Sequence, residues 1–330
     1  MILPLFSGLF AVFALALYVL LDGFDLGVGV LLLLQRDEGL RDRMVYSIMP
    51  TWDGNETWLI MAGVTLLAAF PTAYGILLPA LYLPAIAMLL ALGLRGVSFE
   101  FRYQTVAARK KWDLIFGFGS IVATLMQGVI LGALVQGVSV TGDHFSGSVL
   151  DVARPFPCLV ALLALSGYVV LGAAWLRLKA TGELRAFAVR ALRISLPLFV
   201  GLVACAALAA PHVQAGISAT WGARCVAIIP LGTYFLFVAT LLMVTASSSI
   251  DLVPFLLALL LIGLFLTIVA VVVYPDIVPF RLTLWEAASS TRSHVFLLVG
   301  AVFVTPVILG YTAFAYRVFR GKTPAEGWEA

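Results

Sequence analysis

The sequence predicts an all-α integral membrane protein with about nine transmembrane helices, from its composition, its apolar stretches and the spacing of its basic residues. Of the 330 residues, 62% are hydrophobic and only 11% are charged, and the mean hydropathy is +1.09. A soluble domain carries roughly 25% charged residues, so membrane lipids are the solvent that this composition fits. The formal net charge of +3 is small and predicts no nucleic-acid partner.

Nine stretches are long enough for the roughly 20 apolar helical residues that cross the hydrocarbon of a membrane. The second and third stretches are separated only by a short segment containing Pro71, Tyr74 and Gly75. The predicted spans are residues 4–34, 56–74, 76–97, 114–138, 155–176, 192–211, 223–246, 252–274 and 294–317.

Lys and Arg concentrate in alternate loops, which predicts the orientation. The loops after predicted helices 1, 3 and 5, together with the C-terminal segment, hold most of the 20 basic residues. Cytoplasmic loops are enriched in Lys and Arg. Nine helices with this bias place the N-terminus outside and the C-terminus in the cytoplasm. The remaining basic residues, in the opposite loops, are Arg154, Arg224, Arg281 and Arg292.

Small and polar residues within the spans predict close helix packing. Gly23–Gly27 and Gly128–Gly132 have the G-x-x-x-G spacing that lets helix backbones approach each other. Gln127 and Gln136 lie in predicted helix 4 beside these glycines, and we interpret them as hydrogen-bonding groups between helices.

Ionisable residues inside membrane spans are costly and indicate function by default. In this sequence they occur in pairs towards the cytoplasmic side of the first three predicted helices. The i, i+3 spacing of the carboxylates in the first two pairs puts both members of each on one helix face. They are Asp22 and Asp25 in helix 1, Asp53 and Glu56 at the start of helix 2, and Arg95 and Glu100 at the end of helix 3.

Two interpretations of this convergence stay open at the level of the residues. Neighbouring carboxylates in a low dielectric repel each other, which favours retention of a proton near neutral pH and suits a proton path from the cytoplasm. In the structural alternative, Asp25 or Asp53 pairs with Arg95 or caps a helix N-terminus.

The spans offer few groups for redox chemistry. Haem in a membrane bundle is usually held by axial histidines, whereas His144, His212 and His294 fall in predicted loops or at span ends. The three cysteines lack metal-ligand spacing and are interpreted as buried apolar residues. The sequence therefore predicts no catalytic residue, no bound cofactor and no metal on this chain.

The sequence contains several specific local strings. Residues 22–29 read D-G-F-D-L-G-V-G, and residues 52–60 read W-D-G-N-E-T-W-L-I. Further landmarks are L-R-G-V-S-F-E-F-R around Arg95, Trp112-Asp113, and T-L-W-E-A-A-S-S over residues 283–290. Together these strings resemble subunit II of cytochrome bd-type quinol oxidases. The short external loops resemble those of the cyanide-insensitive branch.

The resemblance implies two four-helix bundles plus one peripheral helix. It implies a partner in the bacterial inner membrane, subunit I, which carries the quinol site and b-type and d-type haems, or b-type haems alone in some relatives. Some relatives bind a structural quinone, and some complexes contain a small single-span accessory subunit. The complex oxidises quinol, reduces dioxygen to water and takes protons from the cytoplasm.

The resemblance also implies residue roles. Asp25 and Asp53 match family carboxylates in or near a proton path at the subunit interface, and Asp22 belongs to the same motif. Trp52 and Asn55 would shape that path. Relatives often carry Gln at the position of Glu56, so this chain has an additional carboxyl beside Asp53.

The chain is expected to divide into a first bundle over 1–140, a second over 150–275, and the ninth helix with a cytoplasmic tail over 290–330. A haem-free oxidase subunit that delivers protons competes with a proton-coupled secondary transporter and with a purely structural module. The oxidase interpretation predicts that Asp53→Asn sharply lowers oxygen consumption while haem spectra stay intact.

Overall fold

The computed structural model describes residues 2–142 and 144–324, apart from the side chains at 106 and 219–223. The chain is overwhelmingly helical. Its helices are α1 (Ile2–Leu32), α2 (Glu38–Ile48), α3 (Trp52–Ala69), α4 (Pro71–Gln104), α5 (Arg109–Gln136), α6 (Pro155–Lys179), α7 (Gly182–Val213), α8 (Ala215–Thr245), α9 (Leu252–Val273) and α10 (Thr291–Val318).

In the part of the chain that the structure describes, two short antiparallel hairpins connect helices. The first pairs β1 (Val140–Thr141) with β2 (His144–Phe145), and the second pairs β3 (Asp276–Val278) with β4 (Leu282–Thr283). Short 3-10 helices cover Val106–Ala108 and Val149–Ala153.

Eight helices of the described chain, α1 and α4–α10, are long and apolar enough to cross a membrane. Helix α3 follows the short α2, and with it the described chain has nine long helices. Helix α3 has 18 residues, and the polar groups Asp53 and Glu56 in its first turns lower its hydropathy. The predicted all-α membrane fold with about nine transmembrane helices is confirmed.

The predicted break between the second and third spans is wrong by several residues. Helix α3 ends at Ala69 and α4 begins at Pro71. Proline suits the first turn of a helix because the backbone N–H that it lacks would have no partner there. The break therefore lies before Pro71 and not near Gly75.

Charged residues extend two helices beyond their predicted ends. Helix α4 continues to Gln104, so Arg95 and Glu100 both belong to helical turns. Helix α7 begins at Gly182, ten residues before the predicted span. A hydropathy pattern locates only the apolar part of a helix, whereas these helices continue with polar turns.

Helix α2 was not predicted, because it is too short and polar to be read as a span. Asp37 caps it: the Asp37 Oδ1 accepts a hydrogen bond from the Leu40 amide at 2.8 Å. Arg102 of α4 ties α2 to α5, donating from Nη2 to Asp42 and from Nε to Asp113, each at 2.6 Å. This network encloses the polar end of the first bundle.

The long helices pack in two groups. Helices α1, α3, α4 and α5 contact one another, α6–α9 form a second group, and α10 packs mainly against α1 and α3. This arrangement agrees with two four-helix bundles and a peripheral helix. The division at residues 1–140, 150–275 and 290–330 stays a prediction.

Glycine brings α1 and α6 into backbone contact, as the G-x-x-x-G spacing predicted. A Cβ atom at Gly27 would overlap the carbonyl oxygen of Tyr168, and one at Gly172 would overlap the backbone of Gly27. A Cβ atom at Gly128 would overlap the backbone of Ala161 in the same way. These contacts join the two bundles along their length.

Gly27→Ala is therefore expected to force α1 away from α6 and to lower the melting temperature of the protein by several degrees. Overpacking of this kind costs about 1–3 kcal/mol. Gly63→Ala in α3 is the matched control, because a Cβ atom there meets nothing within 4 Å. Equal melting temperatures for both variants would refute the close packing of α1 on α6.

The side chain of Gln127 bonds between helices, as predicted, whereas the contact found for Gln136 is made by its backbone. Gln127 of α5 donates to the Tyr18 hydroxyl at 2.7 Å and accepts from the Tyr168 hydroxyl at 2.6 Å. The Gln136 carbonyl accepts a hydrogen bond from the Gln214 side chain at 2.9 Å. The first of these contacts links both bundles in the membrane interior.

The segment after α10 docks on the second bundle. Lys322 donates to Asp251 Oδ2 at 2.6 Å, and the Thr323 amide donates to the Lys179 carbonyl at 2.9 Å. Burial raises the pKa of Asp251, but the hydrogen bond and charge of Lys322, with the charge of Arg185, outweigh it and hold that pKa below its ordinary value. This contact thus stabilises the fold above the ordinary aspartate pKa, and the stabilisation is lost as pH falls through the lower folded value.

Candidate functional site

Three helices bring opposite charges together in the first bundle. Arg95 of α4 donates from Nη2 to Asp22 Oδ1 of α1 at 2.6 Å and to Glu56 Oε1 of α3 at 2.5 Å. Arg95 and Asp22 are completely buried, whereas 24% of the Glu56 side chain is exposed. The guanidinium therefore links a fully enclosed carboxyl to one that reaches the surface.

Asp25 lies one turn along the same face of α1 and has a neutral partner. Asn55 Nδ2 donates to Asp25 Oδ2 at 2.8 Å and to the Leu21 carbonyl at 3.3 Å. The Tyr316 hydroxyl of α10 donates to Asn55 Oδ1 at 3.2 Å. The structural alternative predicted an ion pair of Arg95 with Asp25 or Asp53. That pairing is wrong, because Arg95 pairs with Asp22 and Glu56.

The cluster has more carboxyls than cations. Among the described residues, one cation, Arg95, is hydrogen-bonded to the cluster, which contains the three carboxyls of Asp22, Asp25 and Glu56. Asp22 Oδ2, Asp25 Oδ1 and the Nε and Nη1 of Arg95 are buried without a hydrogen-bond partner in the described chain. Buried polar atoms normally find a partner in protein or internal water. An excess of carboxyls with free lone pairs is an arrangement that can accept and release protons.

A cleft of about 420 Å³ lies between α3 and α10, and its lining includes Asn55, which hydrogen-bonds Asp25 of the cluster. Its lining includes Asn55 and Tyr316 at the inner side and Asp53 at the rim. Asp53 is exposed, and Asn55 is buried to 99%. The cleft therefore leads from an exposed carboxyl to the amide that holds Asp25.

Asp53 does not join the buried cluster, although it is three residues from Glu56. Asp53 lies in the first turn of α3, whose N-cap residue, Thr51, makes no side-chain capping hydrogen bond in the described chain. The Glu56 side chain reaches Arg95, whereas Asp53 faces the cleft. The two carboxyls of this pair thus open onto different environments.

The remaining predicted site residues, Trp52 and Glu100, do not hydrogen-bond the carboxyl cluster in the described chain. Trp52 stacks on Phe99, with ring centroids 4.9 Å apart, and covers Gly96, where a Cβ atom would lie 3.2 Å from the indole. Glu100 is exposed on α4. Five residues turn a helix by about 140° past a full circle, so Glu100 points away from the face that carries Arg95.

Sequence reasoning missed Tyr316. It lies 261 positions from its partner Asn55, on a helix whose sequence carries no other sign of this contact. Its polar position within an apolar span was the available signal, because buried tyrosine hydroxyls usually have a hydrogen-bond partner.

The histidines do not form a haem pocket in the described chain. His144 and His212 are exposed. His294 is buried, and its Nδ1 is engaged with the Ser7 hydroxyl at 2.8 Å. None of the three lines the α3–α10 cleft. Among the described residues, no group of three or more His, Cys, Asp or Glu side chains is placed to hold a metal.

Comparison with known proteins decides the family. The sequence profile described as Cytochrome bd terminal oxidase subunit II matches residues 3–319. The chain belongs to the cytochrome bd terminal oxidase subunit II family. Subunits II are multi-pass proteins of the bacterial inner membrane, and a subunit I is their partner in an oxidoreductase complex.

Relatives of subunit II match along nearly the whole chain. The cytochrome bd-I ubiquinol oxidase subunit 2 of Escherichia coli K12 is 29% identical, over 94% of this chain and 93% of the relative. The cytochrome bd ubiquinol oxidase subunit 2 of Bacillus subtilis 168 is also 29% identical, over 92% of each. A solved chain of the bd oxidase from Geobacillus thermodenitrificans has a TM-score of 0.79 at 18% identity, covering 97% of this chain and 99% of that one. It shows that the fold is shared.

Proposed function

We propose that this chain is a haem-free subunit II of a bd-type quinol:dioxygen oxidoreductase in the aerobic respiratory chain. It stabilises the haem-bearing subunit I and contributes to proton delivery from the cytoplasm at the subunit interface. The complex generates proton-motive force, and the chain is not catalytic alone. The observation that carries this proposal is the buried carboxyl cluster joined through Asn55 to the cleft rimmed by Asp53.

The cluster supports proton delivery through its geometry. Asp53 is the exposed carboxyl at the rim, and Asp25 lies behind Asn55 with one oxygen unpartnered in the described chain. Glu56 and Asp22 supply a second route, since both hydrogen-bond the same Arg95 nitrogen. Internal water between such groups would carry the proton towards subunit I.

The orientation follows from charge. The loop containing α2, the ends of α4 and α6, the start of α7 and the segment after α10 carry most of the basic residues. Contacts of Arg43 with Thr181 and of Lys322 with Asp251 place several of these segments together at one end of the bundle. We propose that this end faces the cytoplasm, with the N-terminus outside.

A proton-coupled transporter is the competing function. Transporter sites are usually built from broken helices at the midplane of the membrane. Helices α4 and α7 contain proline, but each continues through it, over 34 and 32 residues. The observed geometry therefore favours the oxidase subunit.

Co-expression tests the proposal. Purified with subunit I, the chain should yield a complex with haem absorbance and quinol oxidase activity, whereas the chain alone should bind no haem. Stoichiometric haem on the isolated chain, or proton-dependent solute uptake by vesicles containing it alone, would contradict the proposal. Mass spectrometry of the same complex would identify a structural quinone or a single-span accessory subunit.

A further inference from the structure

Tyr316 lies on the cleft side of the asparagine that hydrogen-bonds Asp25. It lines the cleft, and its hydroxyl donates to Asn55 Oδ1 at 3.2 Å. Asn55 is the only residue that the Asp25 carboxylate accepts a hydrogen bond from in the described chain, at 2.8 Å. Asn55 therefore separates Tyr316 from Asp25.

The orientation of the Asn55 amide decides what Asp25 meets. An asparagine side chain donates from nitrogen and accepts at oxygen. In the observed orientation Nδ2 donates to Asp25 Oδ2 and to the Leu21 carbonyl. A flipped amide would place its oxygen against the carboxylate. The Asp25 carboxylate and the Leu21 carbonyl both disfavour the flip, and the Tyr316 hydroxyl anchors the oxygen of the amide from the cleft side.

Two kinds of contact hold Tyr316 and the C-terminal end of α10 in place: aromatic packing of its ring and a hydrogen bond just after the helix. The Tyr316 ring lies edge-on to Trp175 at 6.0 Å and to Phe24 at 6.5 Å between centroids. Three residues further along the chain, the Phe319 carbonyl accepts a hydrogen bond from Lys179 at 2.6 Å. These contacts come from α1, α6 and the docked tail, so the hydroxyl is fixed from both bundles.

We propose that Tyr316 is a positioning residue for proton transfer at Asp25: its hydroxyl fixes the Asn55 amide with the NH2 group on the carboxylate. The inference rests on the proposed function and adds a residue of the last helix to it. Without the hydroxyl, the Asn55 side chain would lose its anchor on the cleft side and would be held less closely against Asp25, so the link from the cleft to Asp25 would be formed for a smaller part of the time.

The test is Tyr316→Phe in the co-expressed complex, with turnover measured per haem. The ring that packs on Trp175 is retained, so only one hydrogen bond is lost. We expect the kcat of oxygen reduction to fall about three- to tenfold, as one hydrogen bond predicts, at an unchanged KM for quinol and unchanged haem spectra. Tyr234→Phe, on the exposed side of α8, is the control and should keep full turnover.

Asn55→Ala and the double variant separate positioning from general loosening of the fold. If Tyr316 acts through Asn55, Tyr316→Phe should have no further effect once Asn55 is alanine. Asn55→Ala alone, with Tyr316 in place, should lower kcat at least as much, which keeps the proposal testable should Tyr316→Phe assemble poorly. Additive losses in the double variant, or full turnover of Tyr316→Phe, would overturn the positioning role.

Asp25→Asn measured in parallel distinguishes two kinds of failure. A strong loss in Asp25→Asn together with full activity of Tyr316→Phe would leave the proposed function standing and remove only the role of Tyr316. Full activity of Asp25→Asn would remove both.

Discussion

Asp25→Asn is expected to lower oxygen consumption per haem by about two orders of magnitude, the loss that removal of a proton-transfer group commonly causes. The substitution preserves size, and its amide can still contact Asn55, but it carries no exchangeable acidic proton. Asp25 is fully buried, and its own Oδ1 has no hydrogen-bond partner among the described residues. Bulk water therefore cannot take over the role of this carboxyl in proton transfer. Asp53→Asn should cost less, roughly tenfold, because cleft water can bypass an exposed carboxyl.

Oxygen uptake with excess quinol, normalised to haem absorbance, is the measurement. Glu183→Gln, an exposed carboxyl in the first turn of α7, is the control and should retain full turnover. Unaltered consumption in Asp25→Asn would favour the purely structural interpretation of the cluster. Loss of haem absorbance together with activity would show that the carboxyl serves assembly.

Arg95→Met should prevent stable assembly. The substitution leaves Asp22 buried without a counter-charge, and breaking a buried ion pair by removing one partner costs about 3–5 kcal/mol. Arg190→Met, at an exposed position of α7, should have no comparable effect. The measurement is the yield and melting temperature of the purified complex.

A compensating triple variant sharpens this prediction. Arg95→Met combined with Asp22→Asn and Glu56→Gln removes the carboxylates that Arg95 neutralises, and should restore much of the yield. If the triple variant is as unstable as Arg95→Met, the loss comes from packing around the long side chain and not from unpaired charge.

Sequence reasoning located the cluster but not its pairing. The i, i+3 spacing put Asp22 and Asp25 on one face of α1, and hydropathy put Arg95 at a similar depth. The choice of Asp22 over Asp25 as the partner of Arg95 depends on the rotation of α1 against α4. A periodic pattern within one helix does not specify the rotation of that helix relative to another.

The same limit explains the helix ends and Tyr316. Hydropathy gave nine spans because apolar length is a local property. The polar turns of α4 beyond residue 97 and the whole of α2 were missed, since they are stabilised by ion pairs such as Arg102–Asp113. Tyr316 reaches Asn55 only after the chain has crossed the membrane many times, so local sequence carries no record of the contact.

Time-resolved proton uptake is the most direct test of the claim that buried carboxyls of this chain carry protons to the oxidase. The fully reduced complex is mixed with oxygen, and haem oxidation and proton uptake from the medium are followed together. If Asp25 carries protons, Asp25→Asn slows proton uptake and the haem oxidation steps coupled to it, while oxygen binding keeps its normal rate. Proton uptake at the unmodified rate in Asp25→Asn would show that protons reach the oxidase without this carboxyl.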